Sequence, residues 1–172
     1  MKSYHLLKTS CAGLIFAATG AFVALPAAAA CSSDAQSVIN DLDGSWRGSG
    51  TVQPIGGAKE RISCRVSYKA TGPRITQSIA CAGTDYKIDA GANVSCNNSS
   101  VSGTWSEKTA NNTGRITGTI KKGSLNIEID GPNFQGRFAV KVANRSKHSL
   151  TITQFDPGAG RHVPVATIAL SR

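Results

Sequence analysis

The chain has 172 residues, 40% of them hydrophobic, and a formal charge of +9 at pH 7. That length suits a single domain, large enough to bury roughly two thirds of the surface its unfolded chain exposes. A basic balance favours anionic partners as a class, but long-range attraction alone specifies none of them.

The first thirty residues have the layout of a secretory signal. Lys2 and Lys8 form a basic start, the stretch from Cys11 to Leu25 is mostly apolar, and the LPAAAA segment supplies small residues at Ala28 and Ala30 for cleavage. The apolar run is short and interrupted, whereas a membrane span needs about 20 residues. No second apolar run follows. The expected mature chain therefore begins near Cys31, carries no transmembrane span, and works in the periplasm or outside the cell. Without Lys2 and Lys8 it keeps 17 basic and 10 acidic residues, a net charge of +7. Cys31 directly follows the small-residue run, which raises lipid anchoring at this cysteine as a second fate; alanine rather than leucine at position 28 makes the match to such a signal poor.

After Cys31, the segment SSDAQSVINDLDG places Ala35, Val38, Ile39 and Leu42 at helical spacing. Ser33 with Gln36 reads as a capping box and Gly44 as the stop, which predicts one helix of about two turns within residues 31–44. From residue 45 to 172 the period changes to two. Ile62, Cys64, Val66 and Tyr68 alternate on one strand, and Ile75, Ile79 and Cys81 on the next. Ile116, Gly118 and Ile120 then repeat the pattern, followed by Leu125, Ile127 and Ile129, and by Phe138, Val140 and Val142. HSLTITQF and VPVATIAL continue it less cleanly. Turn material separates these runs at Gly56-Gly57, Gly72-Pro73, Asn97-Asn98, Asn111-Asn112, Lys122-Gly123, Gly131-Pro132 and Pro157-Gly158. About eight to ten strands result, with no helical pattern long enough for parallel crossovers, so the fold class is all-β and the sheet antiparallel. Unpaired edges are a liability that closure removes, which favours an up-and-down barrel over the alternative, a β-sandwich.

The mature chain would hold Cys31, Cys64, Cys81 and Cys96. An even count in an exported chain favours disulfides, although four cysteines allow three connectivities. Folding the hairpin about Gly72-Pro73 sets Cys64 opposite Cys81, where cross-strand Cβ atoms lie near disulfide separation. Cys64–Cys81 is the favoured bond, which leaves Cys31–Cys96 to tether the N-terminal segment. No CxxC or His/Cys cluster suggests a metal, and no cofactor is expected.

Gly44-Ser45-Trp46, directly after a short helix and at the start of the first strand, resembles the G-x-W pattern of lipocalins and the wider calycins. The resemblance implies that Trp46 packs across one end of a barrel and that an arginine from a late strand covers it; Arg137 and Arg161 are the candidates. The chain as a whole is also similar to small exported bacterial proteins, a likeness that adds no mechanism. A barrel of this size is either filled by side chains or holds one small ligand. Bulky inward residues mix with Gly103, Gly118, Ala166 and Gln77, and these small residues either leave a cavity or only permit tight coiling. If a pocket exists, it is mostly apolar and suits a lipid, quinone or similar molecule. Trp46, Trp105, Tyr68 and Tyr86 are the candidate ligand-binding residues.

No catalytic motif is recognisable: the chain has no nucleophile elbow, phosphate-binding loop or dinucleotide fingerprint, and Glu128 and Asp130 share the polar face of one strand. A non-catalytic protein is expected. Arg61, Arg65, Lys69, Arg115, Lys121, Arg137 and Lys141 alternate with apolar residues and point outward if the apolar faces form the core. Such residues protect sheet edges, or else meet an anionic component of the cell envelope. Nucleic acid is not an expected partner, because stacking aromatics are not interleaved with these charges. Three functions follow: a carrier of a small apolar ligand, an envelope protein with a solid core and basic outer face, and a protease-inhibitor-type barrel.

Overall fold

The computed structural model describes residues 30–132 and 134–172. The expected secretory signal at residues 1–30 therefore lies, but for Ala30, outside the described residues. One helix, α1 (Ser33–Leu42), leads into ten strands: β1 (Gly44–Val52), β2 (Glu60–Thr71), β3 (Arg74–Ala82), β4 (Lys87–Asn97), β5 (Ser100–Glu107), β6 (Asn112–Lys121), β7 (Ser124–Gly131), β8 (Phe134–Asn144), β9 (Lys147–Asp156) and β10 (Arg161–Ser171). Each strand pairs antiparallel with its neighbours in sequence, and β1 pairs with β10 to close the barrel. The all-β up-and-down barrel is the architecture that the alternation predicts, and the sandwich is set aside. No helix among the described residues is long and apolar enough to cross a membrane.

Alternation drives this result residue by residue. In β2, Ile62, Cys64, Val66 and Tyr68 are buried while Arg61, Ser63, Arg65, Ser67 and Lys69 are exposed. A one-residue slip would exchange these faces, so burial of one face fixes the register. Two bulges break the period, one at Val142/Asn144 in β8 and one at Pro164/Ala166 in β10. The second explains why VPVATIAL reads poorly: the extra residue leaves Val165 and Ala166 both buried. Pro164, which has no N–H to give a ladder, sits at that bulge.

Helix α1 is longer than expected and begins one residue earlier. Its N-cap is Ser32, whose Oγ accepts the Ala35 N–H at 3.3 Å; the expected Ser33–Gln36 box does not form. Gln36 instead donates to Asn40 Oδ1 at 2.9 Å and reaches the Gly72 carbonyl. Ala35, Val38, Ile39 and Leu42, the predicted apolar stripe, are the buried residues. Gly44 has φ of +118°, a conformation that favours glycine, and turns the chain from helix into β1.

Cys64 pairs in register with Cys81 and is bonded to it; Cys31 is bonded to Cys96. The first bond crosses two adjacent strands inside the barrel wall. The second pins the segment before α1 to the end of β4, where Ser32 N–H also donates to Asn98 O at 2.8 Å. With its sulfur in that bond, Cys31 has no thiol to lipidate, so the disulfide and the lipid anchor exclude each other.

Candidate functional site

The two ends of the barrel are built differently. Helix α1 lies across the end formed by the β2–β3, β4–β5, β6–β7 and β8–β9 turns and contacts β2, β6 and β8. Trp46 completes this plug at 1% exposure. Its Nε1–H donates to Leu42 O at 2.7 Å, and its ring meets His148 edge-on at 4.3 Å. The arginine over it is Arg172, with the guanidinium carbon 4.2 Å from the ring centroid. Neither Arg137 nor Arg161 takes that place: Arg137 is exposed and paired with Glu128 at 3.0 Å, and Arg161 opens β10 at the opposite end. Register explains the correction, since Arg47 faces Ser171 across the closing pair and the residue that follows β10 arrives beside Trp46. Arg172 also donates to Asp41 O at 2.7 Å, locking the last strand to the helix.

Tyr68 and His148 fill the space beneath Trp46. Tyr68 Oη lies 3.4 Å from His148 Nε2, and His148 Nδ1 is buried with no partner. Burial pushes the Tyr68 hydroxyl well above the usual phenol range. Burial, aided by the nearby Arg172 charge, pushes His148 down to about 4, so it is neutral at physiological pH.

At the other end, bounded by the β1–β2, β3–β4, β5–β6 and β9–β10 connections, the barrel holds a cavity of about 590 Å³. Its lower walls are aliphatic or aromatic, including Ile79, Phe138 and Ile152, and Ala90 and Ala166 leave the space open. Tyr86, Trp105 and Phe134 stand above them, with Trp105 and Phe134 edge-on at 6.1 Å. The indole of Trp105 is seated where two side chains are missing: a Cβ at Gly114 would lie 2.6 Å from Nε1, and one at Gly131 2.9 Å from Cζ2. Its Nε1–H is buried without a partner. The structure thus divides the four candidate residues, putting Trp46 and Tyr68 in the packed plug and Trp105 and Tyr86 on the cavity.

Glu107, two positions after Trp105 and on the same face of β5, marks the mouth. Burial alone would raise its carboxyl, but hydrogen bonds from Thr109, Ala110 and Asp89 outweigh that effect and hold it below the usual carboxylate value. The Thr109 and Ala110 amides donate at 2.8 and 2.7 Å. Tyr86 is raised, first by burial and then by the Glu107 charge. The only sequence signal for Glu107 is its i, i+2 step from Trp105, which puts both on one face of β5. His148, beside Arg145 and Lys147, reads in the sequence as a surface residue, and the structure corrects this; only the closed register brings it and Arg172 to Trp46.

Arg61, Arg65, Lys69, Arg115, Lys121, Arg137 and Lys141 are all exposed. They sit on β2, β6 and β8, and three strands lie between β2 and β6, and three between β2 and β8, around the ring, so the seven do not form a single basic face. Among the described residues no group of three or more His, Cys, Asp or Glu side chains comes together as a metal site.

A closed antiparallel barrel, plugged by a helix and a tryptophan at one end and hollow at the other, has the lipocalin- or calycin-like fold. Solved structures share that architecture. Rv2717c from M. tuberculosis superposes with a TM-score of 0.66 at 13% identity, over 83% of this chain and 98% of its own. The S-type phycobiliprotein lyase CPES from Guillardia theta gives 0.58 at 8% identity, over 80% and 91%. EF1p2_mFAP2b bound to DFHBI gives 0.49 at 14%, over 82% and 99%. At these identities the first two likenesses are of fold alone. No family model and no curated protein sequence matches the chain.

Proposed function

We propose that the protein is an exported, non-catalytic binding barrel that holds one small, mostly apolar molecule in its open end. The cavity carries this reading. At about 590 Å³ it falls within the 300–1,000 Å³ of ordinary ligand sites, whereas an envelope protein with a solid core would leave less than about 100 Å³. Two disulfides support an oxidising compartment. A barrel of this shape is named a lyase in Guillardia theta, so the fold alone does not decide catalysis. The non-catalytic reading draws support from the site: Glu107 is held ionised by the backbone amides of its own turn, and His148 is sealed in the plug at the other end.

Binding of the neutral apolar dye N-phenyl-1-naphthylamine tests the proposal. Its emission should rise with the wild-type protein, and Ala90→Phe, which fills the cavity, should weaken binding at least about tenfold, or 1.4 kcal/mol. No enhancement, or enhancement unchanged in an Ala90→Phe protein that keeps its β-sheet circular dichroism, would refute it.

A further inference from the structure

The mouth of the cavity has the opposite sign to the protein as a whole. Among the described residues lining it, the charged ones are Asp85, Lys87 and Glu107. A third carboxylate is at hand, because Glu60 Oε1 accepts the Asp85 N–H at 3.0 Å. Lys108, the residue just after β5, is turned away onto Asp89 at 3.1 Å. Glu107 cannot swing aside without giving up the amides of Thr109 and Ala110. Its charge therefore stays beside Tyr86, Trp105 and Phe134, aromatic rings whose faces attract cations.

We infer that the ligand is an amphiphile whose apolar body fills the lower cavity and whose head, lodged at the mouth, is cationic and not a carboxylate. This rests on the cavity being the binding site and adds the sign of the head group. Three carboxylates against one lysine oppose the entry of an anion, and at contact distance such charges act more strongly than the more distant, salt-screened arginines of the outer wall. A head of ammonium type also meets the rings, whereas a carboxylate would face their negative π-clouds.

The test is displacement of N-phenyl-1-naphthylamine at low salt by three dodecyl compounds below their micellar range: dodecyltrimethylammonium, dodecanol and dodecanoate. The expected order is ammonium, alcohol, carboxylate, with at least about tenfold between the first and last. Glu107→Gln combined with Asp85→Asn should shrink that gap, read as the ratio of ammonium to carboxylate affinity, to within about threefold; the gap in the wild-type protein decides the matter even if this variant does not fold. Dodecanoate binding as tightly as the ammonium compound overturns the inference and leaves the apolar site standing. If none of the three displaces the dye, the apolar site itself fails, and the head-group assignment with it.

Discussion

His148 makes the plug sensitive to acid. It is 3% exposed, wedged between the Trp46 ring and Tyr68, with Nδ1 unpartnered and the Arg172 guanidinium nearby. Protonation in place would add a buried charge close to the Arg172 guanidinium. The folded-state value near 4 lies below the ordinary 6.5, so between the two the unfolded chain binds more protons. The contribution of this group is therefore fully present above about pH 6.5 and falls away as pH drops toward and through 4. Integrated from about pH 7.5 to about pH 5, the loss is about 2 kcal/mol. Urea unfolding followed by tryptophan emission over that range measures it, with His148→Gln as the reference. Carboxylates such as Glu107 also weaken with acid, but they do so in both proteins and cancel in the difference. The wild-type curve should fall more steeply than the variant by about 2 kcal/mol; parallel curves would refute the account of a neutral histidine sealed beneath Trp46.

Arg172→Ala removes both the cation–π contact with Trp46 and the hydrogen bond to Asp41 O, and should lower unfolding free energy by about 1–2 kcal/mol in the same urea assay. Gly114→Ala drives a methyl into Trp105 Nε1 and the Asp130 carbonyl; we expect a loss of about 1–3 kcal/mol, a shift in indole emission and weaker dye binding. Opening the Cys64–Cys81 bond by double alanine replacement releases a loop closed over 17 residues and should cost about 3 kcal/mol. Opening Cys31–Cys96, closed over 65, should cost about 4 kcal/mol and loosen α1 first, read as hydrogen exchange of the helix amides.

Strand pairing was legible because its causes are local. Ile116, Ile120, Leu125 and Ile129 leave one choice of inward face, and Gly72-Pro73 sets the hairpin that brings Cys64 to Cys81. The β8–β9 turn has no glycine or proline to mark it in the sequence; it is an Asx turn, with Asn144 Oδ1 accepting the Ser146 N–H at 2.9 Å. The cavity was not legible, since it depends on which end α1 covers. Cys31–Cys96, legible once Cys64–Cys81 is assigned, and the Ser32–Asn98 hydrogen bond pin α1 at its end, but which side chains meet at the other end was not legible.

The interior glycines carry the ambiguity furthest, because an absent side chain has two opposite meanings in a barrel. Gly103 and Gly118 read as possible openings, yet an added Cβ would strike the carbonyls of Asn93 and Asn126 on the next strands, so they serve close backbone approach and enclose nothing. Gly114 and Gly131 likewise face neighbouring carbonyls, those of Asp130 and Thr113, and the Trp105 indole packs against the same two positions. The open volume comes instead from alanines, Ala90 and Ala166, set among large side chains. A glycine permits the wall to bend, and the bend consumes the space that its missing side chain would have left. An alanine keeps ordinary strand geometry while its short side chain leaves a gap, so hollowness in this barrel follows Ala90 and Ala166 and not the glycines.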